Sequence, residues 1–273
     1  MSEMMNFFAV QLTLVAVVLV LHTYMGLHVI RRTIVFSDLV LDQLAAFGAL
    51  VGIGMGVGYG TPSSYFFSFV AVLVGSLLLV VIKPKNMLIP REAVIGIMFA
   101  LALVASLLLG DKLSGGSAYV TKTLVGSMLW VNWPLVMITA CVYLALLLFH
   151  IKFQRKFIAL TEENEKIRYV KLWDFLFFTT LGIITVLIVP VAGVLLAYSL
   201  LMIPAAIAAL FTKRWGWGVL LGWSAGFAAC IVGLVCSYFF NLPYGPTLIL
   251  SLGIFFFGAT VLSAVIPHPG MNL

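Results

Sequence analysis

Two carboxylates offer the clearest chemistry in this chain. Asp38 and Asp42 lie in the run Phe36-Ser37-Asp38-Leu39-Val40-Leu41-Asp42-Gln43, inside an otherwise apolar stretch. On a helix, a spacing of four puts both on one face, with Cβ atoms about 5–6 Å apart. Carboxylates that close repel each other unless a proton or a cation sits between them. Carboxylate oxygen is also a good ligand for divalent cations. A charge at the centre of a membrane span costs roughly 2.5–3.5 kcal/mol on insertion scales, so such residues are functional candidates by default. The plainer reading is that the helix starts in the interface and Asp38 is simply wet. His22 and His28 precede the pair, and either can offer an imidazole to it; His22, the one within the apolar run, is the candidate third ligand. The competing role for each is a satisfied packing residue. Imidazole favours zinc, whereas carboxylate favours manganese or ferrous iron, and this donor set does not choose between them. His150 and His268 stand at span ends and are expected to be solvated.

The elements that must position these groups follow from composition. Of 273 residues, 63% are hydrophobic and 9% charged, with a mean hydropathy of +1.21. Soluble domains run at about 45–50% apolar and about 25% charged, so this is the composition of a polytopic membrane protein. Disorder, collagen-like repeats and a disulfide scaffold are excluded. Fifteen Lys and Arg against nine Asp and Glu give a net charge of +6. The basic residues fall between apolar runs, so they report topology and lipid contact rather than nucleic acid. Cys141, Cys230 and Cys236 lie within apolar runs, where a thiol behaves as a small hydrophobe. Met1 to Asn6 carries Glu3 and no basic residue, so the first run reads as a retained span rather than a cleaved signal.

A span needs about 20 mostly apolar residues. Nine runs qualify: 7–30, 36–59, 64–82, 93–110, 134–151, 173–189, 191–211, 217–238 and 247–266. The expected fold is therefore all-α, a single transmembrane domain over 1–273. Asp111 to Thr123 reads as a polar loop, and Pro190 as the divider between two closely joined spans, or a pair of half-helices. With the N-terminus outside, thirteen of the fifteen Lys and Arg residues fall on the inner side, leaving Lys112 and Lys122 outside. This bias predicts N-out and C-in. Gly48, Gly52 and Gly56 share a stripe on which another helix can approach closely, inside the chain or in a dimer. The six Trp residues mostly sit near span ends, as interfacial anchors do. Pro204, between Ile203 and Ala205, is expected to break or kink its helix.

The longest charged stretch runs from Lys152 to Lys171. Thr161 can cap a helix with Glu162 and Glu163 in its first turn, and Glu162 can pair with Lys166. With Arg155 and Lys156, these residues form a candidate docking surface for a cytoplasmic partner, the alternative being a solvated loop. The chain has no G-x-x-x-x-G-K-[ST] or H-E-x-x-H motif, and no Cys/His cluster with zinc-site spacing. It is expected not to be an enzyme by itself.

Five blocks occur in order. They are Gly26-Leu27-His28-Val29-Ile30-Arg31-Arg32 with Val35-Phe36-Ser37-Asp38-Leu39; Glu92-Ala93-Val94-Ile95-Gly96-Ile97; Leu124-Val125-Gly126-Ser127-Met128-Leu129-Trp130; Ala192-Gly193-Val194-Leu195-Leu196 with Leu201-Met202-Ile203-Pro204-Ala205-Ala206; and Ser237-Tyr238 with Asn241-Leu242-Pro243-Tyr244-Gly245-Pro246-Thr247. Together they resemble the permease subunits of ABC importers for zinc, manganese and iron. The resemblance implies a homodimeric or paired permease in a bacterial inner membrane. It also implies a separate cytoplasmic ATPase that carries the ATP, and an extracytoplasmic metal-binding protein. The divalent ion would be cargo, with no cofactor bound permanently. Zinc and manganese members have an Asp followed four residues later by His; Asp38 matches the first, and Asp42 stands in place of the second. That departure leaves the metal open and argues against tetrahedral zinc ligation. Leu160-Thr161-Glu162-Glu163 stands where an Asp-Pro-Glu type coupling segment is expected, so docking there is a positional inference. Two other classes stay open from the residues alone: an autonomous carrier coupled to protons through the Asp pair, and a non-transporting membrane scaffold.

Overall fold

A computed structural model describes residues 2–82, 88–126, 131–162 and 167–265. Every regular element among them is a helix: α1 (Ser2–Arg31), α2 (Phe36–Gly54), α3 (Pro62–Val81), α4 (Arg91–Lys112), α5 (Gly116–Val125), α6 (Trp133–Lys152), α7 (Gln154–Glu162), α8 (Val170–Ala192), α9 (Val194–Phe211), α10 (Trp215–Phe239) and α11 (Tyr244–Val265). Nine of these, all but α5 and α7, are long and apolar enough to cross a membrane. The all-α, nine-span expectation holds, and the chain is an integral membrane protein.

Several boundaries differ from expectation, each for a local reason. The stretch Asp111 to Thr123 is mostly helical, because α4 continues to Lys112 and α5 opens at Gly116 after the left-handed Gly115. α2 stops at Gly54, short of residue 59, as Met55 leaves helical geometry and Gly56 takes a φ of +84°. Pro190 lies inside α8, and the division from α9 falls at Gly193, which has a φ of +79°. Pro204 lies inside α9 and does not break it. α10 packs closely against this proline: a Cβ on Gly222 would lie 2.6 Å from the Pro204 carbonyl oxygen.

The chain forms two compact units. The first comprises residues 1–30, 128–143 and 199–273. In it α10 packs on α11, and Leu27, Ala205 and Ala208 form a buried cluster. Gly26 meets the Leu201 carbonyl with no room for a side chain, and the Trp223 indole N–H donates to the Ala16 carbonyl at 2.9 Å.

The second unit comprises residues 31–127 and 144–198. Its centre is α2, which packs against α3, α4 and α8. Small residues allow this: a Cβ on Gly48 would lie 2.7 Å from Ser68 Cα, so the stripe serves packing within the chain. Gly52 faces Phe67, whereas Gly56 has left the helix and faces open space. The Ser68 hydroxyl donates to the Ala45 carbonyl at 2.8 Å, and Gln43 Nε2 donates to Ser106 Oγ at 2.9 Å.

At one end of this unit Arg32 and Asp174 form an ion pair, with side chains 7% and 1% exposed. Asp174 is a third buried acid, missed because it stands at the edge of the apolar run 173–189. Removing one partner leaves a buried charge alone. Asp174→Asn should therefore destabilise the protein by about 3–5 kcal/mol, and the pair substitution Arg32→Met with Asp174→Leu should recover most of that. Chemical unfolding in detergent measures both.

Candidate functional site

The site is built on the first two turns of α2. The helix has no side-chain cap of its own. Instead, Glu92 at the start of α4 accepts a hydrogen bond from the Phe36 backbone N–H at 2.7 Å. A carboxylate there satisfies an orphan donor and complements the helix dipole. Ser37 Oγ adds a bond to the Ile34 carbonyl at 2.6 Å. The start of α2 is thus held from α4, and every residue from Ser37 to Gln43 is buried.

Asp38 and Asp42 stand one turn apart on this buried segment, 2% and 1% exposed. Asp38 is therefore not a wet interfacial residue. Neither Asp42 oxygen has a hydrogen bond of normal geometry, although Thr185 of α8 approaches it. Tyr198, early in α9, lies within electrostatic reach of Asp38, Asp42 and Glu92. The second unit therefore gathers carboxylate, phenol and hydroxyl oxygens near one another. Such a set suits a hard cation held weakly and released. Among the described residues, no group of three or more His, Cys, Asp or Glu is arranged to hold a metal.

His22, His28 and His150 each have partners within their own unit. His22 belongs to the first unit, where its Nδ1 lies 3.4 Å from the Tyr143 hydroxyl and the two rings stack at 5.7 Å. His28, in the same unit, packs 4.2 Å from the Trp215 ring. His150 is not solvated: it is 1% exposed, bonds Thr180 Oγ1 at 2.9 Å and stacks on Phe157 at 4.2 Å. His268 lies outside the described residues.

Among its described residues the charged stretch contains one short helix, α7. It buries Phe157, Ala159, Leu160 and Thr161 and leaves Arg155 and Lys156 exposed. Phe157 sits against Trp173 and Phe177 of α8. Thr161 does not cap a helix start. It lies at the end of α7, and its hydroxyl donates to the Phe157 carbonyl at 3.0 Å. Glu162 faces Arg31 at 3.5 Å, while Glu163 and Lys166 lie outside the described residues. Sequence reasoning also missed Tyr198 and Thr185. Their types are unremarkable in an apolar span, and only folding brings them to the Asp pair.

Residues 2–263 match the pattern of the family described as the ABC 3 transport family. The chain belongs to the ABC 3 transport family. A Synechocystis membrane protein of unassigned function is 29% identical over 226 residues, covering 81% of this chain and 78% of that one. The manganese import system permease protein ScaB of Streptococcus pneumoniae is 27% identical over 209 residues, covering 74% of this chain and 73% of ScaB. In structure, this ABC 3 protein is similar to PsaBC from Streptococcus pneumoniae in complex with Fab. The TM-score is 0.76 at 21% identity, over 93% of this chain and 91% of that one. The shared fold spans nearly the whole of the described helices.

Proposed function

We propose that this ABC 3 protein is the permease subunit of an ATP-driven importer for a divalent transition metal, with manganese its preferred cargo. The observation that carries this reading is the buried Asp38–Asp42 pair in an oxygen-rich setting. Zinc and ferrous iron are the competing cargoes. Zinc favours nitrogen and sulfur ligands, whereas Asp38 and Asp42 offer oxygen alone. The naming of a relative as a manganese import permease supports the choice.

In this reading residues 1–273 act as one permease domain with the N-terminus outside. Two copies form the ion path, an extracytoplasmic metal-binding protein delivers the ion, and a separate cytoplasmic subunit binds and hydrolyses ATP. α7 is the docking element. Its apolar face is anchored through Phe157 on α8, and Arg155 and Lys156 face outward. A shift of a docked ATPase would thus reach α8 directly.

The test is reconstitution of the permease with its co-purifying ATPase in vesicles, with uptake of Mn²⁺, Zn²⁺ and Fe²⁺ measured against ATP. Uptake that requires ATP and prefers Mn²⁺ supports the proposal. Uptake that ignores ATP and collapses with the proton gradient replaces it with the carrier reading. The double reversal Arg155→Glu, Lys156→Glu should cut recovery of the ATPase at least about tenfold, the size of a lost charged contact at an interface, while leaving the permease folded. Pull-down from solubilised membranes reads this directly.

A further inference from the structure

The second unit contains a cavity of about 540 Å³ that plays no part in the Asp38–Asp42 site. Its polar lining includes Arg31, Arg32, Arg91, Thr161, Glu162 and Asp174. Among the lining groups three guanidiniums face two carboxylates, and Glu92 lies within electrostatic reach of Arg91 as a third. Arg32 is bonded to Asp174, yet its Nη1 is buried and has no acceptor; the same holds for Nε of Arg91. The two guanidinium groups are also fixed in place. Arg32 Cζ lies 5.0 Å from the Phe177 ring centroid and Arg91 Cζ 5.6 Å from that of Phe178. A buried donor without an acceptor is costly to leave so, and a planar guanidinium matches the oxygens of a phosphate. The volume falls within the range of small-ligand sites.

We propose that this cavity binds a phosphate-bearing anion, held by Arg32 and Arg91 with Arg31 at its rim. Two sources share that chemistry: the headgroup of an anionic lipid, and free phosphate. The cavity lies where α1 ends and α4 begins, at the level of span ends, so either can reach it. The inference does not depend on α7 docking an ATPase.

Thermal unfolding of the full chain in neutral detergent with phosphatidylcholine tests it. The probes are inorganic phosphate, phosphatidylglycerol, and sodium chloride at matched ionic strength. At a hundredfold excess over the dissociation constant, the midpoint should rise by about 5 °C or more. A rise with phosphatidylglycerol alone identifies a lipid headgroup, and a rise with phosphate as well identifies a site open to the free anion. Arg91→Gln should abolish the rise. If that variant fails to fold, Arg31→Gln, which alters only the rim, should reduce it severalfold. The proposal is overturned by no rise with either probe, by an equal rise with sodium chloride, or by an undiminished rise in the variant that folds.

Discussion

Asp42→Asn, and separately Asp38→Asn, should abolish metal transport while leaving the protein at least as stable as the wild type. Asn keeps the shape of Asp and removes its charge. The two carboxylates are buried one turn apart on α2, and Asp42 has no hydrogen bond of normal geometry to offset its burial. Losing one charge relieves repulsion and desolvation together. A cation passing the pair loses half of its formal counter-charge. Groups that merely support metal ligands cost 10–100-fold when changed, so uptake in reconstituted vesicles should fall by about 100-fold or more. The melting midpoint should hold steady or rise. Normal uptake in either variant would show that the ion does not pass this pair, and a collapse of the midpoint would make the pair structural.

Gly126→Ala and Gly193→Ala should each destabilise the protein by about 2–5 kcal/mol, from left-handed backbone strain plus overpacking. Gly126 has a φ of +78° and Gly193 one of +79°, a region that L side chains rarely adopt. The two residues also pack against each other's backbone: a Cβ on Gly126 would lie 2.6 Å from the Gly193 nitrogen. One Gly closes α5, and the other separates α8 from α9. Neither substitution can be absorbed by turning a side chain. Gly96→Ala is the control, because nothing lies within 4 Å of a Cβ there. It should be neutral or stabilising by up to about 1 kcal/mol. Chemical unfolding of the three variants in one detergent separates the outcomes. Equal stability of all three would show that the Gly126–Gly193 contact is loose.

Hydropathy made the spans legible, because a membrane demands long apolar runs and satisfied backbones. The spacing of Asp38 and Asp42 carried the carboxylate pair for the same reason: a helix turns every 3.6 residues whatever surrounds it. Misreadings arose where a distant residue decided the local outcome. Thr161 followed by two Glu looks like a helix start, yet burial of Phe157 against α8 draws the helix upstream and leaves Thr161 at its end. His150 looks like a solvated span end until Thr180, thirty residues away, accepts it into the interior. Asp174 looks interfacial because its partner Arg32 is 142 residues away. Pro190 looked like the break between α8 and α9, but the left-handed geometry required there is available to Gly193 and closed to proline.

The fastening of α2 limits how its carboxylates can move. Bonds from Ser68 and Gln43 tie it to α3 and α4, and Glu92 holds its first turn. Turning α2 about its own axis by one residue, about 100°, would shear all three bonds and drive Gly48 out of its seat on α3. It behaves like a keyed shaft rather than a spinning one. Whatever re-aims Asp38 and Asp42 must therefore carry α3 and α4 along with α2, so the smallest moving part is a block of helices.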